Sequence, residues 1–191
     1  MSVSNQDCID AGKDVIEHVN MYLPEGFLTK YSVNENIGNL FNVLSAAEFE
    51  RQFNIFYSGF FAHIFGKGAI KSDQVNGFAT PAPHYNRKLY IQDPGGANKG
   101  TIRHEFIHWL QHYNFYPKYY ISDGTDSADV VEGVTEYFTR QIITGRTSYP
   151  RQYKKMKSLI DGTPQLINTI GRASFFGDTD AIEKIHRAYW N

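Results

Sequence analysis

His104-Glu105-Phe106-Ile107-His108 is the stretch of this chain whose residue types and spacing can do chemistry. On an α-helix, side chains four apart lie on one face about 6 Å from each other, so the two imidazoles can close on one metal ion at about 2.0–2.1 Å each. Glu105 then stands beside the metal and not on it, where a general base for a metal-activated water must be. A structural zinc site is closed by four protein ligands, whereas a catalytic one has three and keeps a position for water, so one more ligand is required. His112 continues the four-residue spacing but lies about 12 Å along the helix axis from His104, too far to share the ion. The pattern H-E-x-x-H-x-x-G-x-x-H also fails, because Gln111 stands at its glycine and Asn114 at its last histidine.

The stretch Val130-Val131-Glu132-Gly133-Val134-Thr135-Glu136-Tyr137-Phe138 offers the missing oxygen. Asp126, Ser127 and Asp129 give it an acidic, cap-rich start and Gly145 a stop, so it reads as a helix with Glu132 and Glu136 on one face. With Glu132 as third ligand, Glu136 is one turn away and can accept the free ring N–H of a ligating histidine, fixing its tautomer. Gly133, lacking a side chain, is expected to let this helix approach the histidine helix closely. Two solvated glutamates and two ordinary histidines are the alternative for each stretch alone; their pairing favours a metal centre.

Arg103-His104-Glu105-Phe106-Ile107-His108-Trp109-Leu110-Gln111, followed by Glu132-Gly133-x-x-Glu136-Tyr137-Phe138, resembles the catalytic core of the gluzincin metallopeptidases, and most closely that of the bacterial collagenases. Those carry a similar R-H-E-[FY]-x-H-[YW]-L-Q run and an E-G-x-A-E-F-F run on the next helix; here Thr135 replaces the Ala. The likeness covers roughly residues 37–145 and is strongest at the two motifs. It implies a zinc cofactor held by His104, His108 and Glu132, with Glu105 as general base, in an endopeptidase acting on a protein or peptide. A gluzincin aminopeptidase is a second reading, since E-G-x-x-E-Y resembles its glutamate helix, although no G-x-M-E-N-type run lies upstream. An inactive binding module of the same fold is a third, opposed by the retention of Glu105. Negative charge developing on a substrate carbonyl needs a donor besides zinc, commonly Tyr or His, and Tyr189, His186, Tyr149 and Tyr153 all lie downstream.

Several elements must position these groups. Ile102, Phe106, Leu110 and Tyr113 form an apolar stripe at helical spacing. Gln6 to Leu23 reads as a helix stopped by Pro24-Glu25-Gly26, Phe27 to Val33 as a short strand, and Leu40 to Leu44 as a better one. Ser45-Ala46-Ala47-Glu48 is a capping box opening a helix to about Phe56. Phe53, Phe56, Tyr57, Phe60, Phe61 and Phe65 read as core more readily than as a cleft lining. Gly77 to Thr80 and Lys88 to Gln92 read as strands, and Pro81 and Pro83 push the first towards a sheet edge. Such an edge could take an extended substrate peptide as one more strand, and the resemblance to the collagenases, where an Asn-Gly pair opens a strand in this region, implies that it lies at Asn76, Gly77 and Phe78; Asn76-Gly77 serves equally as a plain hairpin turn. Pro81, Pro83, His84 and Tyr85 would border that cleft. Beyond Gly145, Tyr149 to Ile160 and Asp178 to Trp190 read as helices, with Asp161-Gly162-Thr163-Pro164 as a turn.

The expected fold is α+β and zincin-like, a small mixed β-sheet with the active-site helix beneath it and the glutamate helix following, in one domain over residues 1–191 and monomeric. With 41% hydrophobic and 15% aromatic residues the chain can bury a sizeable core. A net charge of −1 gives no argument for nucleic acid or an anionic membrane, and no run of about 18 apolar residues could span a bilayer. Cys8 is the single cysteine and fits no ligand spacing. Met1 to Asp7 lacks the basic and apolar regions of a signal peptide, so the compartment is left open, with an extracellular setting favoured by the resemblance alone.

Overall fold

The computed structural model describes residues 2–56, 75–80, 87–93, 97–115 and 125–190. They fall in two compact units, one of residues 1–16 and 28–109 and one of residues 17–27 and 110–191. The architecture is α+β, mostly helical with one three-stranded mixed sheet.

Helix α1 (Asn5–Val19), which belongs to the first unit as far as Ile16, starts at a reciprocal cap: Ser4 Oγ accepts the Asp7 N–H, and Asp7 accepts both the backbone N–H and the hydroxyl of Ser4. Cys8, Ala11 and Val15 make its buried face. Phe27 to Val33 is not a strand. It folds as a single turn, α2 (Phe27–Lys30), and as the start of α3 (Val33–Leu40), with Ser32 between them at φ 47°. Val33 and Ile37, four apart and both buried, place an apolar pair on one helical face, which outweighs the weak strand preference of so short a run.

Strand β1 (Phe41–Leu44) follows, then α4 (Ala46–Phe56), whose capping box closes as Ser45 Oγ accepts the Glu48 N–H at 3.4 Å and donates to Glu48 Oε2 at 2.8 Å. Strands β2 (Gly77–Ala79) and β3 (Leu89–Gln92) complete the sheet in the order β1-β3-β2. β1 runs parallel to β3 with Phe41 opposite Leu89, and β2 runs antiparallel to it with Phe78 opposite Tyr90. One face of the sheet carries the aromatics: Phe78 stacks on Tyr90 at 4.8 Å and meets Phe49 and Phe53 edge-on. Phe49 and Phe53 are therefore core, as their density suggests, while Tyr57, Phe60, Phe61 and Phe65 lie outside the described residues.

The other face lies over α5 (Lys99–Leu110), the histidine helix. Asn98 Oδ1 caps it, accepting the N–H groups of Gly100 and Thr101 at 2.9 and 3.1 Å. Every residue from 101 to 110 is buried. Tyr113, expected on the apolar stripe, lies past the helix end and is 51% exposed, because the chain turns at Gln111 and the period stops with it.

The second unit contains α6 (Thr125–Ile142), α7 (Pro150–Gly162), α8 (Leu166–Gly171) with a π-helical turn Arg172–Phe176, and α9 (Thr179–Trp190). Asp178 caps α9, its Oδ1 accepting the N–H groups of Asp180 and Ala181. Gly133 serves a different neighbour from the one expected: a Cβ there would lie 3.1 Å from the Gln152 carbonyl and 3.5 Å from Met156 Cβ, so the close approach it permits is that of α6 to α7. The Phe138 ring packs between those of Tyr22 and Phe175, each 5.5 Å away. No described helix is long and apolar enough to cross a membrane.

Candidate metal centre

His104 and His108 sit one turn apart on α5 and are 2% and 7% exposed. Their Nε2 atoms converge to 3.1 Å, with ring planes 80° apart. Two imidazole nitrogens bound tetrahedrally to one ion at about 2.0–2.1 Å stand about 3.3–3.4 Å apart, so the pair is already close to chelating geometry. Glu132 on α6 joins them: one ligand atom from each of His104, His108 and Glu132 lies within 4.8 Å of the others. Two buried imidazoles and one half-buried carboxylate can hold a metal ion and leave a coordination position over.

Glu105 is outside this trio and 9% exposed. A Cβ on Gly77 would lie 2.8 Å from Glu105 Cγ, 3.1 Å from Ile91 Cδ1 and 3.3 Å from Thr101 Cγ2, so β2 passes directly over the glutamate and only a glycine fits between. Among the described strands β2 lies at an edge of the sheet, as Pro81 and Pro83 suggest. The Gln92 N–H donates to the Asn76 carbonyl and the Thr80 N–H to the Lys88 carbonyl, which by alternation turns the polar groups of Phe78 towards β3 and those of Gly77 and Ala79 outward. Among the described residues no strand pairs with that outward side. Pro81, Pro83, His84 and Tyr85, expected to border the cleft, lie outside the described residues.

The partners that hold α5 were not apparent in the sequence. Arg87, 2% exposed, donates from Nη1 to the carbonyls of His108 (3.2 Å) and Trp109 (2.6 Å), and Trp109 Nε1 donates back to the Arg87 carbonyl at 3.1 Å. A buried cation thus caps the negative end of the histidine helix. Arg103 donates to Asp14 on α1 and to the Lys99 carbonyl. The Arg87 contacts and the Arg103–Asp14 contact have no local signal, since their partners are separated by 21 to 89 positions.

Glu136 is fully buried, and its carboxylate accepts from Arg140 Nε at 2.8 Å and from Arg146 Nε at 2.8 and 3.1 Å. Arg140 also donates to the Ser148 carbonyl and lies 4.0 Å from the centre of the Tyr153 ring. These charges fasten the connection between α6 and α7, a use the sequence reading did not give to Glu136. Of the candidate carbonyl-oxygen donors, Tyr149 precedes α7 in a left-handed conformation (φ 47°) and Tyr153 stacks on Arg140. Tyr189 is buried with Lys155 Nζ 4.5 Å over its ring; burial, then the Asp129 charge, holds its phenol well above the ordinary range. His186 lies on α9 beside Trp190. None of the four belongs to the metal-ligand trio. His112, rejected above on distance, accepts the Asn114 N–H on Nδ1 and lies against Gly177. No family model, curated protein or solved structure matches the chain.

Proposed function

We propose that the chain is a zinc-dependent endopeptidase with a zincin-like, gluzincin-type centre. The observation that carries this reading is the convergence of His104, His108 and Glu132 within 4.8 Å, with a second carboxylic residue, Glu105, buried on the histidine helix but outside the ligand set. A donor set of two imidazoles and one carboxylate suits zinc and is the number that a catalytic, not a structural, site uses. Bound there, zinc would supply Lewis acidity, polarising a substrate carbonyl and making a water acidic enough to attack it. Glu105 accepts the proton of that water as its oxygen adds to the carbonyl carbon, then delivers the proton to the amide nitrogen as the C–N bond breaks. The outward N–H and C=O groups of Gly77 and Ala79 hold an extended peptide as an added strand, next to Glu105 because β2 passes over that residue. Glu136, one turn from Glu132, is given the task of accepting a histidine ring N–H, its carboxylate held in place by donation from Arg140 and Arg146.

The test is to measure zinc content and cleavage of an end-blocked, unstructured peptide on one preparation. Wild type should bind about one zinc per chain and lose cleavage on chelation, and His104→Ala, His108→Ala or Glu132→Ala should each lose the metal. Full zinc loading without Glu132, or cleavage insensitive to chelation, refutes the reading.

A further inference from the structure

Gln111 and Thr135 are wholly buried polar residues, each placed three positions beyond a metal-ligating candidate: Gln111 after His108 and Thr135 after Glu132. Gln111 Nε2 donates to Thr135 Oγ1 at 2.9 Å. That hydroxyl has one proton, and it is given to the Val131 carbonyl at 2.9 Å, so its rotamer is fixed and its lone pair is directed at the glutamine. Thr139 Oγ1 donates in turn to the Thr135 carbonyl at 2.8 Å, so the hydroxyls of both threonines are engaged along α6.

We propose that the Gln111–Thr135 hydrogen bond is a positioning device for the metal centre, fixing where along α6 the glutamate helix meets the chain that leaves the histidine helix, and hence where the Glu132 carboxylate meets the two imidazoles; the inference rests on the zinc reading above. Three things favour it over a packing contact of no consequence. The bond links the two chain segments that supply the ligands, through residues less than one helical turn from each. It is wholly buried, so no water can replace either partner without rearrangement. It is also directional, because a methyl group at the same place would fill the volume and give no register.

The pair is tested by zinc affinity, read by competition with a chelator of known affinity, on the full chain at a temperature where circular dichroism shows each variant folded. Thr135→Val keeps the shape and removes the acceptor, and should loosen zinc about 10–100-fold, whereas Thr135→Ser keeps the hydroxyl and should stay within about 3-fold of wild type. Gln111→Met should match Thr135→Val, and it carries the same test if the valine variant does not fold. The double variant should be no looser than the weaker-binding single, the mark of two residues acting as one contact. A Thr135→Val protein that melts earlier but holds zinc like wild type overturns the inference and leaves the centre standing. Loss of affinity shared equally by Thr135→Ser overturns it too. Wild type that takes up no zinc, or keeps it in Glu132→Ala, refutes the zinc reading itself and with it this inference.

Discussion

Gly77→Ala puts the arrangement of base and edge strand to a quantitative test. The added methyl carbon would stand 2.8 Å from Glu105 Cγ and 3.1 Å from Ile91 Cδ1. Carbon atoms rest at about 3.5–4.0 Å, so Glu105 must give way by roughly 0.7–1.2 Å or the strand must lift by as much. Overpacking of this kind costs about 1–3 kcal/mol, which in a chain of this size lowers the melting temperature by about 2–12 °C. A misplacement of about 1 Å in a reacting group costs on the order of 10²-fold in rate. The variant should therefore fold, keep its zinc, and lose about 100-fold in kcat/KM on a blocked peptide. Steady-state cleavage, zinc content and thermal unfolding on one preparation give the three numbers. Wild-type kcat/KM in a folded Gly77→Ala protein would refute the placement of Glu105 as the base beneath β2. Loss of zinc would instead show that the methyl group disturbs the histidines.

Glu105→Gln should retain zinc and fold with an unchanged or raised melting temperature, since it removes a buried charge, while cleavage falls about 10²–10⁴-fold; zinc content, melting and peptide assays check all three. Arg146→Leu leaves the buried Glu136 carboxylate with Arg140 alone of this pair and should destabilise by about 3 kcal/mol, seen as a lower denaturant midpoint with an unchanged slope. Burial pushes the Cys8 thiol up to about 12, so that at pH 8 only about one chain in ten thousand carries the thiolate. Iodoacetamide should then label Cys8 only on unfolding, as mass spectrometry of native and denatured samples would show.

What the sequence makes legible here is what is encoded within a few residues. The four-residue spacing of His104 and His108, the Ser45–Glu48 box, Asp178 before its helix and the proline-flanked strand at Gly77 each carry their own local geometry, and each appears where its pattern puts it. Phe27 to Val33 misleads because strand propensity is weak over a few residues and the Val33–Ile37 pair is satisfied by a helix. Gly133 shows that a missing side chain predicts a close approach without naming who approaches: Gln152 does. Arg87, Arg146 and the Gln111–Thr135 bond were invisible for a common reason, since an arginine or a threonine reveals nothing of a partner ten or more positions away.

The two reciprocal bonds between Arg87 and Trp109 tie a 22-position interval of chain into a closed loop containing β3, the Asn98 cap and the histidine helix. Closing so short a loop costs little chain entropy, and contacts of low sequence separation form early in folding. The imidazoles are thus orientable by the chain that immediately precedes and contains them, whereas the carboxylate that completes the trio is supplied only by the segment that follows. On the reading proposed above, metal capture during synthesis from the N-terminus would mark the arrival of Glu132, so that the centre would not become competent before the strand and helix that present the two imidazoles have formed.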